Sequence, residues 1–178
     1  MSKFKEIKEK FSTLNNLQKE SFLKEVYDFS KDTRLFLETR FTNSNTGEEF
    51  LKSMKRETID KVYKRPPGTL NGKTVNNIIL KAKKSGVNIQ TLLELEKLAY
   101  RGFIEFLNEY GGGPESFDKI ADKHLEAYLI LIRTEVKDVY EKNKIYQEVK
   151  DYLLAKDNMY TDSLDEIYQT VTGVPVNR

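Results

Sequence analysis

A single histidine, His124, and the absence of cysteine limit what chemistry this 178-residue chain can perform. Without cysteine there is no disulfide, no thiolate zinc site and no cysteine nucleophile. With one imidazole, any site drawing two from the same chain is excluded. His124 sits in Asp122-Lys123-His124-Leu125-Glu126. On a helix, Asp118, Asp122 and Glu126 share a face at four-residue spacing, and His124 projects about 200° away from Asp122. The acidic row reads as a solvated face. Neither HExxH nor a Glu-x-x-His pair is present, so no metal ligand is assigned. His124 instead falls on the stripe Phe117, Ala121, His124, Tyr128, Leu131, which predicts a core-edge histidine with one hydrogen-bond partner.

Nucleophilic and phosphate chemistry find little footing. Gly-x-Ser-x-Gly is absent, and Ser85 and Ser116 fall at helix ends, where serine serves turns and caps. The nearest arginine before His124 is Arg101, too far away to share one helical Arg–His motif of the metal-independent ribonuclease kind. Gly111-Gly112-Gly113-Pro114 before a helix offers backbone donors to an anion, but no Lys-Ser or Lys-Thr follows it. Glu115 and Asp118 in the first turn suit the helix dipole and repel an anion, so the turn reads as structural. The remaining enzymatic reading takes Glu105, Glu109, Asp118 and Asp122 with neighbouring tyrosines. No residue is assigned a catalytic role and no cofactor is expected.

The charge pattern carries more. Residues 1–51 hold nine basic and nine acidic side chains, residues 52–84 hold ten against two, and residues 85–178 hold eleven against 17. The net values are 0, +8 and −6, which together give the whole-chain +2. Such asymmetry speaks about partners. The candidate contact residues are Lys55, Arg56, Lys61, Tyr63, Lys64, Arg65, Lys73, Lys81 and Lys84. They fit an acidic protein partner. Nucleic acid is the alternative, since lysines for phosphates and Tyr63 for stacking are present, although one aromatic is few. Pairing of this segment with the acidic C-terminal part inside the monomer is the plain alternative to both.

The elements that position these residues are helical almost throughout, and no run alternates with a two-residue period. The first helix spans Lys3 to Ser12 with Phe4, Ile7 and Phe11 on one stripe. The second spans Leu17 to Phe29, with Phe22, Leu23, Val26, Tyr27 and Phe29 on its apolar face. A short third follows Asp32 as N-cap, with Leu35, Phe36 and Leu37. Thr42-Asn43-Ser44-Asn45 reads as a loop, and Thr46 with Glu49 as a capping box. The fourth runs Gly47 to Tyr63, burying Phe50, Met54 and Val62, and Arg65-Pro66-Pro67-Gly68 stops it. The fifth runs Thr74 to Ser85 before Gly86. The sixth opens at Asn88 and reaches Tyr110. The seventh has Pro114 at its first position and continues through Val139. A bend at Asn143 precedes the eighth, and Asp162 caps the last, which runs to Thr172.

This pattern predicts an all-α fold, an antiparallel multi-helix bundle or short helical array of about seven to nine helices. One domain over 1–178 is expected, with a weaker sub-boundary near 64–72 and a C-terminal extension over 141–178. A chain of this size buries roughly 70% of its unfolded surface, enough to fold unaided. No apolar run reaches 18 residues and MSKFKEIKEKF lacks an apolar core, so no membrane span, no secretory signal and a cytoplasmic location are expected. The tyrosines at 100, 110, 128, 140, 146, 152, 160 and 168 are expected at core edges, rings buried and hydroxyls wet.

Two stretches resemble a known pattern. Leu23-Lys24-Glu25-Val26-Tyr27-Asp28-Phe29 is followed by Leu35-Phe36-Leu37-Glu38-Thr39-Arg40-Phe41. Later comes Gly102-Phe103-Ile104-Glu105-Phe106-Leu107-Asn108-Glu109-Tyr110-Gly111, with Lys64-Arg65 and a proline–glycine break between. Over about residues 14–133 this order resembles a family of small bacterial all-helical proteins known only as a domain of unknown function. Asn108-Glu109-Tyr110-Gly111 is its most specific piece, and the Gly-Gly-Pro turn departs from the more acidic turn of the family. The resemblance implies an all-α bacterial or phage protein and brings no activity. The expectation is a non-enzymatic helical interaction or adaptor module with a basic 52–84 surface. The alternative is a nucleic-acid-associated protein of phage defence or counter-defence.

Overall fold

The computed structural model describes residues 2–42, 46–156 and 162–176. Its elements are α1 (Lys3–Ser12), α2 (Asn16–Phe29), α3 (Lys31–Phe41), α4 (Thr46–Glu57), α5 (Ile59–Tyr63), α6 (Gly72–Ser85), α7 (Ile89–Tyr110), α8 (Ser116–Glu135), α9 (Val139–Ala155) and α10 (Asp162–Thr172). The fold is all-α, as the periodicity predicts. Two compact units divide the chain, Met1–Thr46 and Gly47–Arg178, and the 64–72 segment lies inside the second. The loop residues 43–45, the capping side chain of Thr46, and Tyr160 lie outside the described residues.

The second unit is built on α7 and α8. Glu96 meets His124 and Phe103 meets Phe117, so position rises along one helix as it falls along the other, and the pair is antiparallel. Leu95, Ala99, Phe103 and Ile104 of α7 and Ala121, Leu125, Leu129 and Ile132 of α8 are all fully buried. Local signals set the ends of α7. Asn88 Oδ1 accepts from the Thr91 amide, and Gly111 takes the left-handed φ of 65° that ends the helix. Asn71 caps α6 in the same way, and Gly86 ends it at φ 76°. Lys123 on α8 donates to Asn76 on α6, and Ser163 on α10 donates to Asp122 on α8.

Four boundaries differ from the sequence reading. The fourth helix breaks at Thr58, whose φ of −121° and ψ of −95° interrupt it between α4 and α5. The Thr58 hydroxyl donates to the Met54 carbonyl at 2.7 Å. Gly102 of α7 lies against the break so closely that a Cβ there would come 2.5 Å from the Thr58 Cβ. Ser30, not Asp32, caps α3 by accepting from the Thr33 amide, and Asp32 falls in the first turn. Pro114 stands two residues ahead of α8 and accepts the Phe117 amide. The α8–α9 junction is at residues 136–138, where Asp138 caps α9, so Asn143 lies within a helix rather than at a bend.

The first unit holds α1, α2 and α3. Ser2 caps α1, and Asn15 with Gln18 forms a reciprocal capping box on α2. Tyr27 on α2 donates to Glu38 on α3, joining the two. The predicted stripes are present, but among the described residues of this unit only Leu35 is a buried hydrophobic side chain.

Candidate functional site

The outer face of α6 follows from its inner one. Val75, Ile79 and Ala82 are buried, so helical periodicity turns Lys73, Asn77, Leu80, Lys81 and Lys84 outward, and all five are exposed. Leu80 is 54% exposed among the lysines. The side chains of Lys73 and Lys84 form no ion pair or hydrogen bond among the described residues, nor do those of Lys55 and Lys64 on α4 and past α5.

The other candidates are engaged within the chain. Lys61 donates to Glu57 at 2.7 Å and to the Thr69 carbonyl at 3.2 Å, and Arg56 also reaches Glu57. The Lys61 hydrogen bond holds the Glu57 carboxyl below its usual range. Arg65 donates to Glu109 at 2.6 Å and to the Tyr110 hydroxyl at 2.7 Å. Tyr63 donates to Glu105 at 3.0 Å. Burial first, and then that carboxylate, push the Tyr63 hydroxyl up. Lys83, a basic residue outside the candidate set, reaches Glu96 at 3.1 Å. The basic segment is thus partly neutralised by α7, and its open cations concentrate on α4, the turn after α5, and α6.

Glu105 and Glu109, four residues apart on α7, are the partners that spacing alone does not reveal. Glu105 also accepts from Tyr152 at 3.0 Å and Lys156 at 2.8 Å, both reached through α9. Arg101 lies 4.4 Å over the Tyr152 ring, and Tyr152 meets Tyr100 edge-on at 5.8 Å. Desolvation raises the Tyr100, Tyr128 and Tyr152 hydroxyls above the ordinary phenol range; Tyr152 donates to Glu105, and Tyr100 accepts from Arg101. Tyr100, Tyr128 and Tyr168 are buried, whereas Tyr140 is 82% exposed. Asp118 turns to its neighbouring backbone and Asp122 to Ser163, so the four carboxylates considered for catalysis end on separate partners.

His124 is buried, deeper than a core edge. Its Nδ1 meets Glu96 Oε2 at 2.7 Å, and Nε2 has no hydrogen-bond partner. Because the carboxylate only accepts, the neutral ring carries its proton on Nδ1. Among the described residues no group of three or more His, Asp or Glu side chains is placed to hold a metal ion. In the glycine turn, the Gly111 and Gly112 amides both bond the Leu107 carbonyl, so those donors serve the helix end. No helix among the described residues is long and apolar enough to cross a membrane. No family model, curated protein or solved structure matches this chain.

Proposed function

We propose that this chain is a non-enzymatic helical interaction module and that the exposed face of α6 contacts an acidic protein surface. The observation that carries the reading is Leu80, exposed within a row of lysines of which Lys73 and Lys84 have no partner in the described residues. An apolar anchor with a charged rim suits a helix bearing leucines flanked by glutamates. Burying Leu80 supplies about 1.5 kcal/mol, while the rim lysines steer the encounter and set register. Lys55 and Lys64 widen the positive field. Of the nine candidates, Lys61, Tyr63 and Arg65 move to a supporting role, because their polar atoms already hold α5 and the following turn against α7 or within the segment.

The test is titration of the full chain with a synthetic Leu/Glu helical peptide, beside recovery of native partners with and without nuclease. Lys73→Glu with Lys84→Glu is expected to weaken peptide binding about tenfold, and Leu80→Asp to abolish it. Unchanged binding in both variants sinks the assignment. Recovery that vanishes with nuclease and falls steeply with salt moves the function to nucleic acid.

A further inference from the structure

The first unit has well-formed apolar stripes and almost nothing beneath them. Phe4 and Ile7 of α1 are 75% and 60% exposed, and Phe29 and Phe41 are 84% and 79% exposed. Segments of about 40 residues rarely hold a fold without a staple, a metal or an oligomer, and one buried leucine among the described residues is a small core. Between α2 and α3 lies an open groove of about 580 Å³, lined by Leu23, Tyr27, Leu37 and Phe41 together with Glu38 and Thr42.

We infer that this surface is a homodimer interface, in which the α1 stripe of each copy enters the α2–α3 groove of the other. Three observations select a second copy as the occupant. Stripe and groove are both apolar and belong to the same unit, so the surface is self-complementary and a two-fold axis satisfies both at once. The area suits a small interface: at ~200 Å² per aromatic ring, Phe4 of the stripe and Phe41 of the groove leave about 300 Å² in solvent, and Ile7 and Leu23, 60% and 56% exposed, add to it. Charge permits it, since residues 1–46 hold nine basic and seven acidic side chains, a net of only +2. Within that balance α1 carries four lysines against two glutamates, and the groove offers Glu38. In its own chain α1 is held by Phe11, whose ring centroid lies 5.6 Å from that of Phe22. Ile7 and Phe4, one and two turns further out on the same stripe, are left for the partner.

Sedimentation equilibrium on the full chain tests this. The expected wild-type mass is twice that of one chain. The variant Phe4→Glu/Ile7→Glu loses the stripe, and Phe41→Glu spoils the groove. None of these residues is buried, so both variants keep their helices, as far-UV dichroism verifies. Each alone is expected to dissociate about a hundredfold more readily. Mixed together they recover a heterodimer through the one intact stripe–groove contact. A monomeric wild type, a dimer that survives either change, or failure of the mixture to associate each overturns the inference. Lys73→Glu/Lys84→Glu leaves the dimer intact, which separates this surface from α6.

Discussion

The buried pair of Glu96 and His124 allows a stability prediction with a defined size. Glu96 and His124 are each 2% exposed, and Glu96 accepts from His124 Nδ1 at 2.7 Å and from Lys83 at 3.1 Å. Replacing Glu96 by leucine strands both nitrogens of His124 in an apolar core, because Nε2 already has no partner. Lys83 is 45% exposed and turns to water at little cost. Breaking one side of a buried pair costs about 3 kcal/mol or somewhat more. His124→Leu is expected to cost a similar amount, since it leaves a buried carboxylate with Lys83 alone. The double variant fills the same space with two apolar side chains, and it should recover to within about 1 kcal/mol of wild type. For a chain of this size, ~3 kcal/mol lowers Tm by about 6–12 °C. Near-ultraviolet dichroism reads this unit directly, because Tyr100 and Tyr128 are buried in its core and Tyr152 packs edge-on against Tyr100. Since His124 is the only histidine, its ring nitrogens give an isolated nitrogen NMR signal pair that follows the loss of Glu96 directly. A double variant as unstable as the sum of the two singles would refute the coupling and the reasoning behind it.

Further outcomes follow from single contacts. Gly102→Ala is expected to destabilise the second unit by about 1–3 kcal/mol in urea denaturation, because its methyl meets the Thr58 Cβ. Asp122 and Glu57 should respond to pH with opposite signs. Burial raises the Asp122 carboxyl, against the Ser163 hydrogen bond, so its contribution is best at low pH and declines as pH rises through its folded value. Asp122→Asn should then be about 0.5 kcal/mol more stable than wild type near neutrality, with the difference gone below the carboxylate range. The Glu57 carboxyl is lowered by Lys61, so its contribution is present above the ordinary carboxylate range and lost as pH falls through its folded value. Glu57→Gln should cost under about 1 kcal/mol near neutrality and nothing in acid, as thermal melts across pH would show.

Local signals were legible where one residue decides them. Asn88 before Thr91 and the glycines at 86 and 111 marked helix ends because caps and left-handed residues act within a turn. The histidine's place on an apolar stripe was legible too, since Phe117, Ala121 and Tyr128 fix the phase of α8. Its partner was not, because Glu96 belongs to another helix and periodicity carries no information on which faces meet. The break at Thr58 was hidden for the same reason: no glycine or proline marks it, and what accompanies it is the approach of Gly102, 44 residues on. Charge counting found the basic segment but not the division within it. Arg65 and Lys73 look alike in sequence, and only the placement of Glu109 separates an engaged cation from an open one. In the first unit the stripes were found correctly, yet a stripe shows that a face is apolar without showing what it meets.

The two proposed surfaces also constrain each other. A stripe with one exposed leucine and a lysine rim is a weak site: about 1.5 kcal/mol from Leu80 and under ~1 kcal/mol from each rim pair barely offset the cost of association. A chain paired through its first unit carries two such stripes, and a partner with repeated acidic helices then engages the second at high effective concentration. Avidity of this kind strengthens binding by about 10²–10⁴ without a new contact. Phe4→Glu/Ile7→Glu, which leaves α6 untouched, should therefore bind a single Leu/Glu peptide as wild type does, yet bind a tandem peptide at least tenfold more weakly. Calorimetry with the two peptides separates the effects. Equal loss toward both would place Phe4 and Ile7 in the peptide site itself. Equal affinity toward the tandem peptide in variant and wild type would show that the two surfaces act independently.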